Sequence, residues 1–260
     1  MQAVESDRLI EQTVFRGLVW ALVGVIFALV FVVAAEALRF TSAAPHHLLI
    51  AATGSAALTA LFYGSMRLTV MTANFTFIAM LVYTWASHGL LALEPLVLVG
   101  ASVGVVVGTL YGWRDKKSRI FCAEAKIVAG IVSGLLAGSL ALAITYFVPA
   151  IGFPWLTLVV APASTLIYVS VAHWFVKRCH HWLPAVANGA IVGLGVGAVT
   201  GLFFMVMAGA LDPNLLASVE LQAFVGRVEA QWPGAVFGCA AVNFLVGAAR
   251  SVMKVPWYNL

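Results

Sequence analysis

Charged residues are scarce in this sequence of 260 residues. Asp, Glu, Lys and Arg together make up 9% of the chain, whereas soluble globular domains contain about 25%. Hydrophobic residues account for 63%, and the mean hydropathy is +1.03. This composition excludes a water-soluble fold and indicates a protein embedded in lipid.

Several chemical signatures are also missing. The three cysteines, Cys122, Cys179 and Cys239, are far apart and show no Cys-x-x-Cys spacing, so no disulfide framework is predicted. The sequence contains no His-Glu-x-x-His motif and no cluster of acidic residues. The centres of the apolar runs hold no carboxylate, which argues against a carboxylate-based ion pump and against an enzyme. The sequence requires no cofactor, and the identity of any cofactor stays open.

The chain does contain long apolar runs. A helix needs about 20 apolar residues to cross a hydrocarbon core of roughly 30 Å. The runs are continuous and do not alternate with polar residues, which favours helices over a membrane barrel. We therefore predict an all-α, polytopic transmembrane bundle of about eight spans. The spans are Gly17–Leu38, His47–Met66, Leu68–Ser87, Pro95–Trp113, Ile127–Pro149, Pro154–Phe175, Pro184–Ala210 and Pro233–Ala249.

The basic residues predict the orientation, because Lys and Arg concentrate in short cytoplasmic loops. With eight spans and both termini inside, only Arg39 and Arg227 of the 14 basic residues lie outside. Removing one span would place every later loop on the opposite side of the membrane. We therefore expect an integral protein of a bacterial inner membrane with cytoplasmic termini. Spans two and three are separated only by Tyr63–Arg67, so their division is the weakest.

Glycines recur at every fourth residue in several of these runs. On a helix this spacing leaves one bare stripe, and small residues at i and i+4 let transmembrane helices approach closely. The sequence predicts glycine-rich helix packing but does not say whether the stripes face each other or a neighbouring chain. The stripe residues are Gly100, Gly104, Gly108, Gly112, Gly130, Gly134, Gly138, Gly189, Gly193, Gly197 and Gly201.

We expect residues 1–260 to form a single membrane domain. Leu68–Asn74 resembles Leu183–Asn188, which suggests two parallel repeats of four spans, residues 1–122 and 123–260. Between the last two spans, Asp212 as an N-cap and Pro213 at the first helical position predict a short amphipathic helix on the outer side, about residues 212–230. That helix either lies on the membrane surface or packs over the bundle.

Neutral polar residues in the spans are the first candidates for a functional site. Asn74, Asn188, Asn243 and Thr200 either line a path for a neutral or anionic solute or bridge helices as structural contacts. Three histidines in the predicted outer layer, His46, His47 and His88, either form a metal site or are ordinary interfacial residues.

Charged and proline residues in the spans are weaker candidates. Glu36 lies three residues before Arg39, within pairing distance on a helix, and the two are interpreted as an interfacial pair. Pro162 is expected to kink the sixth span.

Three functions remain open from the sequence. The first is a transport or permeation component. The second is a non-catalytic subunit of a larger respiratory, photosynthetic or secretory membrane complex. The third is a membrane enzyme subunit with a metal site on its outer face. The expected partners are the lipid bilayer and either other membrane subunits or further copies of the chain, and no nucleic acid is expected.

Overall fold

The structure is a computed structural model that describes residues 2–41, 46–87, 91–114, 122–148, 151, 153–178 and 183–252. Within these ranges the chain forms eight α-helices and one isolated β-bridge, with no longer strand. All eight helices are long and apolar enough to cross a membrane, which confirms the predicted all-helical fold and its eight candidate spans. The helices are α1 (Gln2–Thr41), α2 (His47–Gly64), α3 (Met66–Ala86), α4 (Leu93–Arg114), α5 (Ala123–Phe147), α6 (Phe153–Arg178), α7 (Ala185–Leu211) and α8 (Val219–Val252).

The boundaries differ from the predicted ones mainly at α1. That helix starts at Gln2, in the charged segment before the predicted start at Gly17. Ser65 alone separates α2 from α3, and its N–H donates to the Phe62 carbonyl oxygen at 3.4 Å. Spans two and three are therefore distinct helices.

The segment after α7 also differs from the prediction. Asp212 does cap a helical turn, since its carboxylate accepts from the Asn214 N–H at 3.0 Å, but that turn is a 3₁₀ helix of three residues, Pro213–Leu215. The following helix begins only at Val219 and continues through Pro233 into the last span. Proline inside a membrane helix removes one backbone hydrogen bond without ending the helix. A separate helix over residues 212–230 is therefore not observed.

The contacts divide the chain into two compact units. Unit 1 comprises Met1–Thr59, Gly130–His173 and Gln231–Leu260, and unit 2 comprises Ala60–Ala129 and Trp174–Ala230. Helices α2, α5, α6 and α8 contribute residues to both units. Each unit is described by itself below.

Glycine faces bring α4 and α7 together in unit 2. The contacts pair Gly104 with Gly193 and Gly108 with Gly189, so the residue numbers run in opposite directions and the helices are antiparallel. A Cβ added to Gly104 would overlap the Gly193 carbonyl oxygen, and one added to Gly193 would overlap the Gly104 carbonyl oxygen. The same holds between Gly100 and Gly197. Backbone therefore lies directly on backbone along this contact.

Helix α3 packs on this pair in unit 2. Its buried residues, Leu68, Thr72, Thr76 and Met80, recur every fourth position and form one face. The Met80 methyl carbon lies 3.3 Å from the position of a Cβ on Gly100. The rings of Phe77 on α3 and Phe204 on α7 meet edge to face, with centroids 5.5 Å apart.

In unit 1, α1 runs antiparallel along α8. The Gly17 backbone lies against the Phe244 ring, and Gly247 lies against the Arg16 carbonyl oxygen and Trp20. Near one end, the Thr13 hydroxyl and the Arg16 guanidinium both lie within hydrogen-bond distance of the Ser251 hydroxyl, at 3.3 and 3.4 Å.

Small residues also join α2 and α5 in unit 1. A Cβ on Gly130 would lie 2.6 Å from the Ala57 Cα atom, and one on Gly134 would lie 2.5 Å from the Thr53 Cα atom. Gly138 continues this stripe against Leu49. The glycines of α5 therefore contact a different helix from those of α4.

Substituting Gly104 with alanine tests the backbone contact in unit 2. We expect G104A to lower the free energy of unfolding by about 1–3 kcal/mol, because the added methyl group has to push α4 away from the Gly193 carbonyl oxygen. The measurement is the melting temperature of the detergent-solubilised protein, with G193A as the reciprocal variant.

Gly54 provides the matched control, because it lies inside an apolar helix and has nothing within 4 Å of its added Cβ. G54A should be neutral or stabilising by up to about 1 kcal/mol, the difference in helix propensity. Equal melting temperatures for G104A and G54A would show that the α4–α7 contact is looser than described.

Candidate functional site

Asn243 is the most deeply buried polar side chain of α8. It is 0% exposed, and its Nδ2 donates to the Cys239 carbonyl oxygen of its own helix at 3.0 Å. Its Oδ1 atom has no hydrogen-bond partner among the described residues. Within the described part of unit 1, the amide oxygen of Asn243 is therefore buried without a hydrogen-bond donor.

The depth of Asn243 follows from its place along the helix. It lies 24 residues after the start of α8 at Val219 and nine before its end at Val252, which at 1.5 Å per residue is about 36 Å and about 14 Å from the two ends. It is therefore more than two turns inside the nearer end of a helix that is long and apolar enough to cross a membrane. An unsatisfied buried acceptor costs about 1–3 kcal/mol, so a polar group of this kind calls for a structural or functional reason.

Three helices form the surroundings of this amide. Gly24 on α1 approaches so closely that a Cβ there would lie 2.5 Å from Asn243 Nδ2 and 2.6 Å from the Cys239 carbonyl oxygen. From α6, the Thr157 carbonyl oxygen accepts from the Cys239 thiol at 3.4 Å. We name Gly24, Thr157, Cys239 and Asn243 the Asn243 site.

Other buried hydroxyls share this lack of a partner. In unit 1, Ser55 and Thr59 lie one turn apart on α2 and are 0% and 5% exposed. In unit 2, Thr72 and Thr76 lie one turn apart on α3 and are both 0% exposed. None of the four hydroxyl oxygens has a hydrogen-bond partner among the described residues. Both units therefore contain neutral polar groups among their buried residues.

The other residues predicted to line a path belong to unit 2. Asn188 is buried at the start of α7 in unit 2, where its Nδ2 donates to the Leu183 carbonyl oxygen at 3.4 Å. Thr200 is half-buried and donates to the Val196 carbonyl oxygen of its own helix at 2.7 Å. Asn74 is exposed on α3, next to the exposed side chains of Phe75 and Ile78.

Glu36, interpreted from the sequence as half of an interfacial pair, is buried among helices. It is 2% exposed within unit 1 and accepts from the Gln231 Nε2 on α8 at 2.8 Å. The side chain of Arg39, its expected partner, lies outside the described residues. Gln231 lies alongside α1 because α8 begins at Val219 and passes Pro233 without a break.

Lys126 is a second buried charged residue. It is 4% exposed on α5, and its Nζ donates to the Gly64 carbonyl oxygen at the end of α2, at 2.8 Å. Gly64 has no side chain, and a Cβ there would overlap the lysine side chain. The lysine therefore caps α2 in unit 2, where a helix carries unsatisfied carbonyls and a partial negative charge.

The predicted metal ligands are only partly within the described residues. His46 is exposed and His47 half-buried at the start of α2, whereas His88 lies outside the described residues. Across the ranges that the structure describes, no group of three or more His, Cys, Asp or Glu side chains is close enough to hold a metal ion.

A serine pattern inside α4 also has a structural explanation. Gly100-Ala-Ser-Val-Gly104 has the Gly-x-Ser-x-Gly spacing of a hydrolase nucleophile, which requires a sharp turn between a strand and a helix. Here the five residues lie within a continuous helix, and Ser102 is exposed on it. The glycines serve the contact with α7.

Comparison with known proteins adds no functional assignment. No protein-family model, no curated protein and no solved structure matches this chain. The function is therefore argued from the chemistry of its own residues.

Proposed function

We propose that the protein is a transport or permeation component of a bacterial inner membrane and acts on a small neutral or anionic solute. The observation that carries this proposal is the Asn243 site, where an amide acceptor with no hydrogen-bond partner among the described residues is buried inside a helix that is apolar enough to cross a membrane. Polar groups inside membrane spans are costly and usually serve a task.

The chemistry of the buried groups favours this class of solute. Amides and hydroxyls offer hydrogen bonds without a fixed charge, as at Asn243, Ser55 and Thr59. A neutral solute exchanges its water shell for such groups at little electrostatic cost, whereas a cation would need carboxylates or a ring of carbonyls. The buried carboxylate in unit 1, Glu36, already accepts a hydrogen bond from Gln231.

We also propose that the glycine stripes pack helices within this chain. The contacts of Gly100, Gly104 and Gly108 with α7 support this, since both faces are glycine and neither leaves room for a side chain. Close backbone contact of this kind stabilises the association of membrane helices, because the hydrophobic effect does not drive helices together within a bilayer.

Replacing Asn243 with leucine tests the transport proposal. In proteoliposomes the wild-type protein should speed the equilibration of a small neutral solute such as urea or glycerol, or of an anion such as chloride or nitrate. N243L should slow this flux about tenfold, because removing one hydrogen bond to the solute raises the barrier by about 1.4 kcal/mol. Stopped-flow light scattering measures the neutral solutes, and potassium salts with valinomycin measure the anions.

Asn74 provides the matched control, since N74L makes the same change of side chain at an exposed position. N74L should retain wild-type flux if the path lies inside the chain. Wild-type flux in N243L, or no flux above that of empty liposomes for any of these solutes, would contradict the proposal. Both variants should be compared at equal reconstituted amounts and equal melting temperatures.

The proposed orientation has its own test, because it places both termini in the cytoplasm. A green fluorescent protein fused after Leu260 should fluoresce in bacterial cells, and alkaline phosphatase fused there should be inactive. Alkaline phosphatase fused after Leu211, at the outer end of α7 in this orientation, should be active. The reverse activities would show that the chain is inverted.

A further inference from the structure

An open cleft lies between α3 and α4 on the surface of unit 2. Its volume is about 560 Å³. Of the described residues that line it, two come from α3 and four from α4, and none of these six is acidic. The lining residues are Met71, Phe75, Val107, Leu110, Tyr111 and Arg114.

The spacing of these residues gives the cleft a direction. Met71 and Phe75 are four residues apart on α3, and Leu110 and Arg114 are four residues apart on α4, so each pair lies along one helix face. Because α3 begins at Met66 and α4 ends at Arg114, the cleft runs from an apolar interior to the end of the helix pair. Tyr111 and Arg114 lie at that end.

A second basic residue belongs to the same end. Arg67 precedes Met71 by four residues, which places it one helical turn nearer the start of α3 on the same face. The side chains of Arg67 and Arg114 are both exposed, and so is the neighbouring Trp113. Tryptophan and arginine at a span end are typical of the lipid headgroup level.

We propose that this cleft binds one anionic phospholipid. An acyl chain lies along the apolar walls formed by Met71, Phe75 and Leu110, and the phosphate lies beside Arg114 and Arg67. Guanidinium groups bind phosphate through paired, charge-assisted hydrogen bonds. Basic pockets between transmembrane helices are a known form of lipid headgroup site. The proposal holds whether or not the protein transports a solute.

The apolar part of the cleft distinguishes a lipid from other occupants. A free phosphate ion would gain nothing from Met71 or Phe75, and two water-exposed arginines alone provide only a weak anion site. A second copy of the chain, related by a two-fold axis along the membrane normal, would bring its own Arg114 to the same membrane level. The like charges would then repel each other.

The test is native mass spectrometry of the full chain in detergent with added phosphatidylglycerol or phosphatidylcholine of the same acyl chains. One phosphatidylglycerol should bind in preference to phosphatidylcholine. R114Q and R67Q should each weaken phosphatidylglycerol binding about fivefold, the effect of one basic residue at a membrane surface. L110W, which fills the apolar part, should weaken binding of both lipids.

Two control variants make the same changes elsewhere. R178Q removes an exposed arginine of α6 whose guanidinium lies 3.9 Å from the centroid of the Trp174 ring. L98W enlarges a side chain of α4 that is exposed but does not line the cleft. Both should bind phosphatidylglycerol like the wild-type protein, and all variants should elute and melt like it.

Four results would overturn the proposal. The first is equal binding of the two lipids by the wild-type protein, and the second is an equal loss of binding in R114Q and R178Q. The third is unchanged binding in L110W, and the fourth is displacement of the lipid by inorganic phosphate at the same concentration. If R114Q fails to fold, R67Q and L110W still decide between these outcomes.

Discussion

The contact between the backbones of α4 and α7 is the constraint on which unit 2 depends. Where glycine faces glycine, as Gly104 faces Gly193, no side chain lies between the helices, so their separation is set by backbone atoms alone. In membrane proteins, close backbone contacts of this kind allow weak Cα–H···O interactions that add to van der Waals packing. Helix α3 then packs on a surface whose shape is already fixed, with Thr72 and Thr76 turned toward the interior of the unit.

In unit 1, one glycine has an additional role besides helix contact. Gly24 lies against the Asn243 amide group and the Cys239 carbonyl oxygen, so the missing side chain makes room for a polar one. The close approach of α1 excludes lipid from the Asn243 amide group. The Oδ1 atom of Asn243 accepts no hydrogen bond from the described residues and can therefore accept one from another molecule. The same amino acid therefore closes a helix contact in unit 2 and accommodates a polar group in unit 1.

The sequence predicts the helices well and their partners poorly, for physical reasons. Apolar length is a local property, so eight runs give eight helices. A glycine stripe can pack against any other stripe of small residues. The local sequence therefore does not determine that Gly104 contacts α7 whereas Gly134 contacts α2. Asn74 and Asn243 look alike in sequence, but only the helix face decides that one is exposed and the other buried. Glu36 accepts a hydrogen bond from Gln231, 195 residues away, on a helix that begins at Val219 and not at Pro233, the predicted start of the last span.

The isolated β-bridge between Leu91 and Leu216 affects which substitutions unit 2 tolerates. The Leu91 N–H donates to the Leu215 carbonyl oxygen at 2.7 Å, and the Ala217 N–H donates to the Leu91 carbonyl oxygen at 2.9 Å. These two bonds join the connection before α4 to the connection after α7, and both use main-chain atoms only. Most substitutions keep these atoms, so evolution can vary the side chains of both connections while the junction itself persists. Proline at residue 91 or 217 is the exception, because it has no N–H to donate.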